Sequence, residues 1–168
     1  MKTFFRFTAL IFVAAILLAT MPLSAIENIA VGERTNSLLT GTSLQGDPLR
    51  LTLSGVNQNH SATLLVFWAS WCGVCVSEMP KLKELHASLA ARVRFLGVNV
   101  NKNSADGRRL ARQQSLPYPS FADPDLLIAD RFKVRGTPTL LLFDQQGRQL
   151  ARSNRLNNKF ISALKKTY

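Results

Sequence analysis

A chain of 168 residues with 46% apolar content has the length of one domain and enough apolar side chains for a globular core. Its formal charge of +11 suits weak attraction to anionic lipid headgroups or acidic partners. It does not suit nucleic-acid binding: basic residues are scattered, with short clusters only at Arg108/Arg109/Arg112 and Lys165/Lys166, and none alternates with aromatics. Two cysteines are too few for a secreted disulfide scaffold.

Lys2 and Arg6 give a short positive start, Ala9 to Met21 is an uncharged apolar run, and Pro22 to Ala25 offers a breaker followed by small residues. That order predicts a secretory signal peptide over residues 1–25. A membrane tether through residues 4–21 is the alternative, since a span needs about 20 apolar residues. No cysteine lies near the cleavage point, which excludes a lipoprotein. Residues 1–25 hold two of the 21 basic residues and none of the ten acidic ones, so residues 26–168 remain strongly basic.

Residues 26–37 read as a polar lead-in. Leu38 to Ser54 has turn chemistry at Gly46-Asp47-Pro48 and alternation at Leu49, Leu51 and Leu53, which predicts a β-hairpin. Thr63 to Ser70 is a continuous apolar run of strand length, as in a central strand buried on both faces. After Trp71 the period changes: Met79, Leu82, Leu85 and Leu89 recur at helical spacing, predicting a helix from Cys72 to Ala90, kinked at Pro80.

Val93 to Val100 is a second buried strand, and Ser104 to Ser115 a polar helix with Ser104 as its N-cap. A proline-punctuated connection follows, then a short helix from Pro124 to Phe132. Thr139 to Asp144 and Arg148 to Asn154 form a hairpin, and Asn157 to Tyr168 a closing amphipathic helix with Phe160, Ile161 and Leu164 inward. Repeats, low-complexity tracts and a second domain are not visible. The order β-β, then β-α-β-α-α-β-β-α, predicts one α/β sandwich with a mixed sheet.

The two cysteines, Cys72 and Cys75, are three positions apart directly after the central strand. A bridge closing so short a loop removes little chain entropy, so a structural staple explains them poorly. Dithiol exchange needs a thiolate that attacks a disulfide and a second thiol close enough to release the mixed disulfide. A helix start supplies both: Cys72 meets the unpaired N–H groups and the dipole that lower a thiol's pKa, and Cys75 lies about one turn further in. Cys72 is then the nucleophile, Cys75 the resolving thiol, and Trp71 shields one side. A metal clamp needs more ligands, and only His60 and His86 are available. His86 is roughly 16 Å along the same helix at about 1.5 Å per residue, and His60 alone completes nothing. Both read as surface histidines.

"LLVFWASWCGVC", the in-helix Pro80 and "GTPTLLLFD" some sixty residues later resemble the thioredoxin superfamily over nearly the whole of residues 26–168. That resemblance implies a thioredoxin fold, here with an N-terminal β-hairpin extension, and a cis Pro138 beside the cysteines. It further implies a client groove lined by Trp71, Gly73, Val74, Thr137 and Pro138, in which the Thr137 backbone pairs with an extended client segment. Cytoplasmic thioredoxins carry an aspartate at the position of Val66 and usually a proline at that of Val74; both are absent. "CxxCxxExP" instead looks like the TlpA/ResA/CcmG (DsbE) group of exported thiol–disulfide oxidoreductases. In those proteins the residue matching Glu78 helps protonate the cysteines. Cys75 and Glu78 are spaced i, i+3, on neighbouring turns of one helix face, so such a carboxylate could accept and return a thiol proton.

The resemblance implies a periplasmic protein, or one on the outer face of the cytoplasmic membrane, that reduces disulfides of envelope clients of the cytochrome c or copper-site maturation type. It needs no cofactor beyond the Cys72–Cys75 pair, no metal and no nucleic acid, and a membrane thiol donor of the DsbD/CcdA kind re-reduces it. The cytochrome c branch often shows "GAPE" where this chain has "GTPT", so general exchange is the safer expectation. A disulfide-introducing oxidase on the same pair and a thiol-based copper or client binder are the alternatives.

Overall fold

The computed structural model describes residues 38–53 and 60–167. The signal or anchor expected in residues 1–25, the boundary at residue 26, the lead-in and the loop 54–59 lie outside the described residues. No helix among the described residues is long and apolar enough to cross a membrane.

The elements are β1 (Leu38–Ser43), β2 (Pro48–Thr52), β3 (Ala62–Trp68), α1 (Gly73–Leu89), β4 (Val93–Asn99), α2 (Ser104–Gln113), β5 (Ser120–Ala122), α3 (Leu127–Arg131), β6 (Thr139–Asp144), β7 (Gln149–Ser153) and α4 (Asn158–Lys165). They form one seven-stranded mixed sheet in the order β2-β1-β5-β4-β3-β6-β7. β3 lies parallel to β4 and antiparallel to β6, and all seven of its residues are buried. Alternation along β3 divides the core. Leu64 and Val66 face Leu82, Leu85 and Leu89 of α1 and Phe160 and Leu164 of α4. Leu65 and Phe67 face Ile128, Ala129 and Val134 on the opposite side, where the β1–β2 hairpin adds Leu39 and Leu53. Each fully buried aliphatic or aromatic side chain of this kind stabilises by about 1.5–3 kcal/mol.

The structure departs from the sequence expectation in three places. The proline-punctuated connection contains a strand, β5, parallel to β4 through Gly97↔Ser120 and antiparallel to β1 through Thr42↔Ala122. Glycine permits that approach: a Cβ on residue 97 would sit 2.0 Å from Ser120 Oγ. The cap of α2 is Asn103 rather than Ser104, with Asn103 Oδ1 accepting the Ala105 N–H at 3.0 Å. α3 is shorter than expected; the buried carboxylate of Asp123 receives the Ile128 and Ala129 N–H groups at 3.0 and 2.8 Å, fixing its start. The helix expected after Trp71 is α1, which runs through Pro80, an exposed position.

Candidate active site

β3 ends in Trp68, and the chain turns through Ala69, Ser70 and Trp71 into α1. Two buried asparagines, Asn99 at the end of β4 and Asn101 just after it, hold this turn. Asn101 Oδ1 accepts the Ser70 N–H at 2.8 Å, Asn101 Nδ2 donates to Ser70 Oγ at 2.7 Å, and Asn99 Nδ2 donates to Asn101 Oδ1 at 2.9 Å. Gly107 lets α2 pack down on the same spot, since a Cβ there would lie 2.2 Å from Asn99 Oδ1. Sequence reasoning missed this support. Its only signal was a pair of asparagines closing an otherwise apolar run.

Cys72 is the N-cap of α1, with extended backbone, and its Sγ accepts the N–H of Cys75 at 3.1 Å. The two cysteines are joined as a disulfide, with Cα atoms 5.2 Å apart. Both are buried, while Gly73 and Val74 between them are exposed and nothing lies within 4 Å of where a Gly73 Cβ would be. The first turn of α1 holds no acidic residue, so nothing there offsets the positive end of the helix dipole. Trp71 is 68% exposed, a large apolar surface at the rim of the pair.

The Thr137–Pro138 peptide bond is cis, and Pro138 is buried at the start of β6. Pro138, Cys75, Glu78, Val66, Trp68 and Tyr118 line one cavity of about 10 Å³, room for about one water. The carboxylate near Cys75 therefore comes from α1, while Val66 on β3 presents only methyl groups to the same space. Glu78 Oε1 accepts the Leu156 N–H at 2.9 Å, anchoring the chain just before α4. Its Oε2 is buried with no hydrogen-bond partner among the described residues. Burial against this cavity pushes the Tyr118 phenol well up.

The site residues named from the sequence thus gather around the disulfide: Trp71 to Val74 at the rim, Thr137 and Pro138 beside it, Glu78 beneath it. The histidines do not join them. Read as surface groups, both prove half-buried: His60 Nε2 lies 3.1 Å from Ala90 O, and His86 packs on Phe95 and Tyr118 with ring centroids 5.2 and 5.9 Å away. Burial lowers the His86 pKa. Among the described residues no three His, Cys, Asp or Glu side chains are grouped to hold a metal ion.

Comparison with known proteins gives three kinds of likeness. The model of the AhpC/TSA family matches residues 39–149. The thiol:disulfide interchange protein DsbE of Xylella fastidiosa is 33% identical over 98 residues, 58% of this chain and 49% of the relative. The chain thus spans about half the length of the DsbE relatives it matches. The thiol-disulfide oxidoreductase ResA of Geobacillus thermodenitrificans is 28% identical over 121 residues, 71% of this chain and 67% of the relative. Among solved structures, a secreted Mycobacterium tuberculosis disulfide oxidoreductase homologous to DsbE of E. coli superposes with a TM-score of 0.64 at 23% identity. It covers 76% of this chain and 94% of that one. The fold expected from the sequence, a thioredoxin fold with a mixed sheet flanked by helices, is the fold found.

Proposed function

We propose that this chain, which belongs to the AhpC/TSA family, is an exported thiol–disulfide oxidoreductase that reduces disulfides of envelope proteins through Cys72 and Cys75. The observation that carries the reading is the position of Cys72 Sγ, which caps α1 and accepts the Cys75 N–H at 3.1 Å, with Cys75 lining the same small cavity as cis-Pro138. A sulfur in that place is stabilised as a thiolate by the N–H groups and dipole of the helix.

In the reduced protein the Cys72 thiolate attacks one sulfur of a client disulfide. The client S–S bond breaks, its second sulfur leaves as a thiolate and takes a proton, and Cys72 and client are joined as a mixed disulfide. Cys75 then loses its proton and attacks Cys72 Sγ. The Cys72–Cys75 bond forms, the client is released as a dithiol, and two electrons have passed to it. Glu78 is the group placed to take the Cys75 proton, across a cavity of one-water size. A membrane dithiol donor of the DsbD/CcdA kind closes the cycle by exchanging with Cys72–Cys75.

The test is the redox state of the pair in the intact envelope, by acid quench and thiol alkylation. A mostly reduced pair that becomes oxidised when the donor is removed supports the reductive direction. A pair that stays oxidised with or without the donor means a disulfide-introducing enzyme on the same residues or an orphan disulfide, and overturns the reductive direction. Replacing Cys75 by Ser tests exchange itself: client mixed disulfides must accumulate on Cys72.

A further inference from the structure

Beside the disulfide, Val74 and Pro138 line a groove of about 400 Å³ together with Arg135, Arg152 and Arg155; no carboxylate lines it. Arg152 is held in place, its Nη1 and Nη2 donating to the carbonyls of Phe132 and Lys133 at 3.0 and 2.8 Å. Carbonyls fix a guanidinium without cancelling its charge. Arg155 and Arg152 have no carboxylate partner among the described residues, and the Arg135–Asp130 pair at 2.9 Å is open to solvent on both sides. From Gln145 to the end of the chain there are six Lys or Arg and no Asp or Glu. Across Gly136 and Thr137 lies a second groove of about 330 Å³ with a different lining, largely Trp71, Val100, Leu126 and Val134, whose two charged residues, Asp130 and Arg135, are paired with each other.

Resting on the exchange activity proposed above, we infer that the clients of this protein carry acidic residues next to the cysteine that Cys72 attacks. An extended client segment crossing Thr137 places residues on one flank of its cysteine against Arg152, which is held in place, and Arg155, neither of which has a carboxylate partner among the described residues. On the other flank the wall is largely apolar and Asp130 is paired with Arg135, so that side offers an acidic side chain no unpaired cation. Charge complementarity of this kind acts on encounter and on the choice of partner, and salt screens it.

The experiment uses the full chain with Cys75→Ser, reduced. Three peptides bear one cysteine disulfide-linked to mercaptoethanol and flanked by Glu, Gln or Lys. The rate of mixed-disulfide formation is divided by the rate of the same peptide with dithiothreitol, which removes intrinsic reactivity. The Glu peptide should exceed the Lys peptide about tenfold at low salt, and the ratio should fall toward one near 1 M salt, where screening acts over about 3 Å. Adding Arg155→Glu should abolish or invert the ratio, which a merely structural role of Arg155 would not do. Equal normalised rates, or a preference that survives both Arg155→Glu and the Arg152→Gln/Arg155→Gln pair, overturn the inference while exchange stands. If no peptide forms a mixed disulfide, the exchange reading itself falls.

Discussion

At the start of α4 the side-chain oxygen of Asn157 accepts the N–H of Phe160 at 2.9 Å; at the start of α1 the sulfur of Cys72 accepts the N–H of Cys75 at 3.1 Å. Both cap residues have extended backbone, and both bonds reach three residues into the helix. Asn157 is exposed and Cys72 buried. An amide is a good neutral cap and keeps its charge state; a disulfide sulfur is a weak acceptor that becomes a strong, charged one when the bond opens. One local geometry therefore serves as a structural device at α4 and, under the proposed function, as a stabiliser of a Cys72 thiolate at α1. The two starts are also tied together, because Glu78 of α1 accepts the N–H of Leu156, the residue just before Asn157.

The strongest way to break the comparison is to make α1 begin as α4 does. Cys72→Asn should abolish mixed-disulfide formation entirely while circular dichroism shows the helix retained. Its stability should stay within about 1 kcal/mol of the reduced parent. Next comes the tie between the helices. Glu78→Gln keeps an oxygen for Leu156 but cannot take a proton, so client release in stopped-flow assays should slow by about 10²-fold. Glu78→Ala also strands the Leu156 N–H and should cost about 1–3 kcal/mol in urea unfolding. Weaker again is Asn157→Ala, at about 1 kcal/mol with exchange rates unchanged. Combined with Glu78→Ala it should be non-additive, since both act on the entry to α4.

The smallest effect lies at the other end of α1. His86 sits in its last turn, where the dipole favours a cation, yet burial against Phe95 and Tyr118 prevails and lowers its pKa below 6.5. The unfolded chain then binds the proton first, so the contribution is full above about pH 6.5 and is lost as pH falls through the folded-state value. Thermal melts between pH 7 and pH 5 should show a shallower fall for His86→Gln than for the parent. An unchanged slope would remove His86 from the account.

The parts legible in the sequence are those encoded by their own neighbours. The run at β3, the helical period of α1, the Gly46-Asp47-Pro48 turn and the Cys72/Cys75 spacing each carry a local rule. β5 has only three residues among prolines, and it is a strand because β4 offers a parallel edge and Gly97 lets Ser120 approach. Asn103 and Ser104 are both competent caps, and only the backbone angle at Asn103 chooses between them. The Glu78–Leu156 bond spans 78 positions and joins a side chain to a main-chain N–H, which leaves no trace in residue identity at Leu156. The half-burial of His60 and His86 likewise depends on what packs over them.

The sheet runs from β2 at one border to β7 at the other. β2 begins on Pro48, which has no N–H to offer, and carries Arg50; β7 carries Arg152. Proline and like charges at a border discourage a neighbouring chain from continuing the sheet. Under the proposed exchange, a client held by one sulfur bond would bring its own backbone close to these borders for as long as that bond lasts. Borders of this composition would keep such a visit from becoming a permanent extra strand, so under that proposal letting go would depend on the rim of the sheet as well as on Cys75.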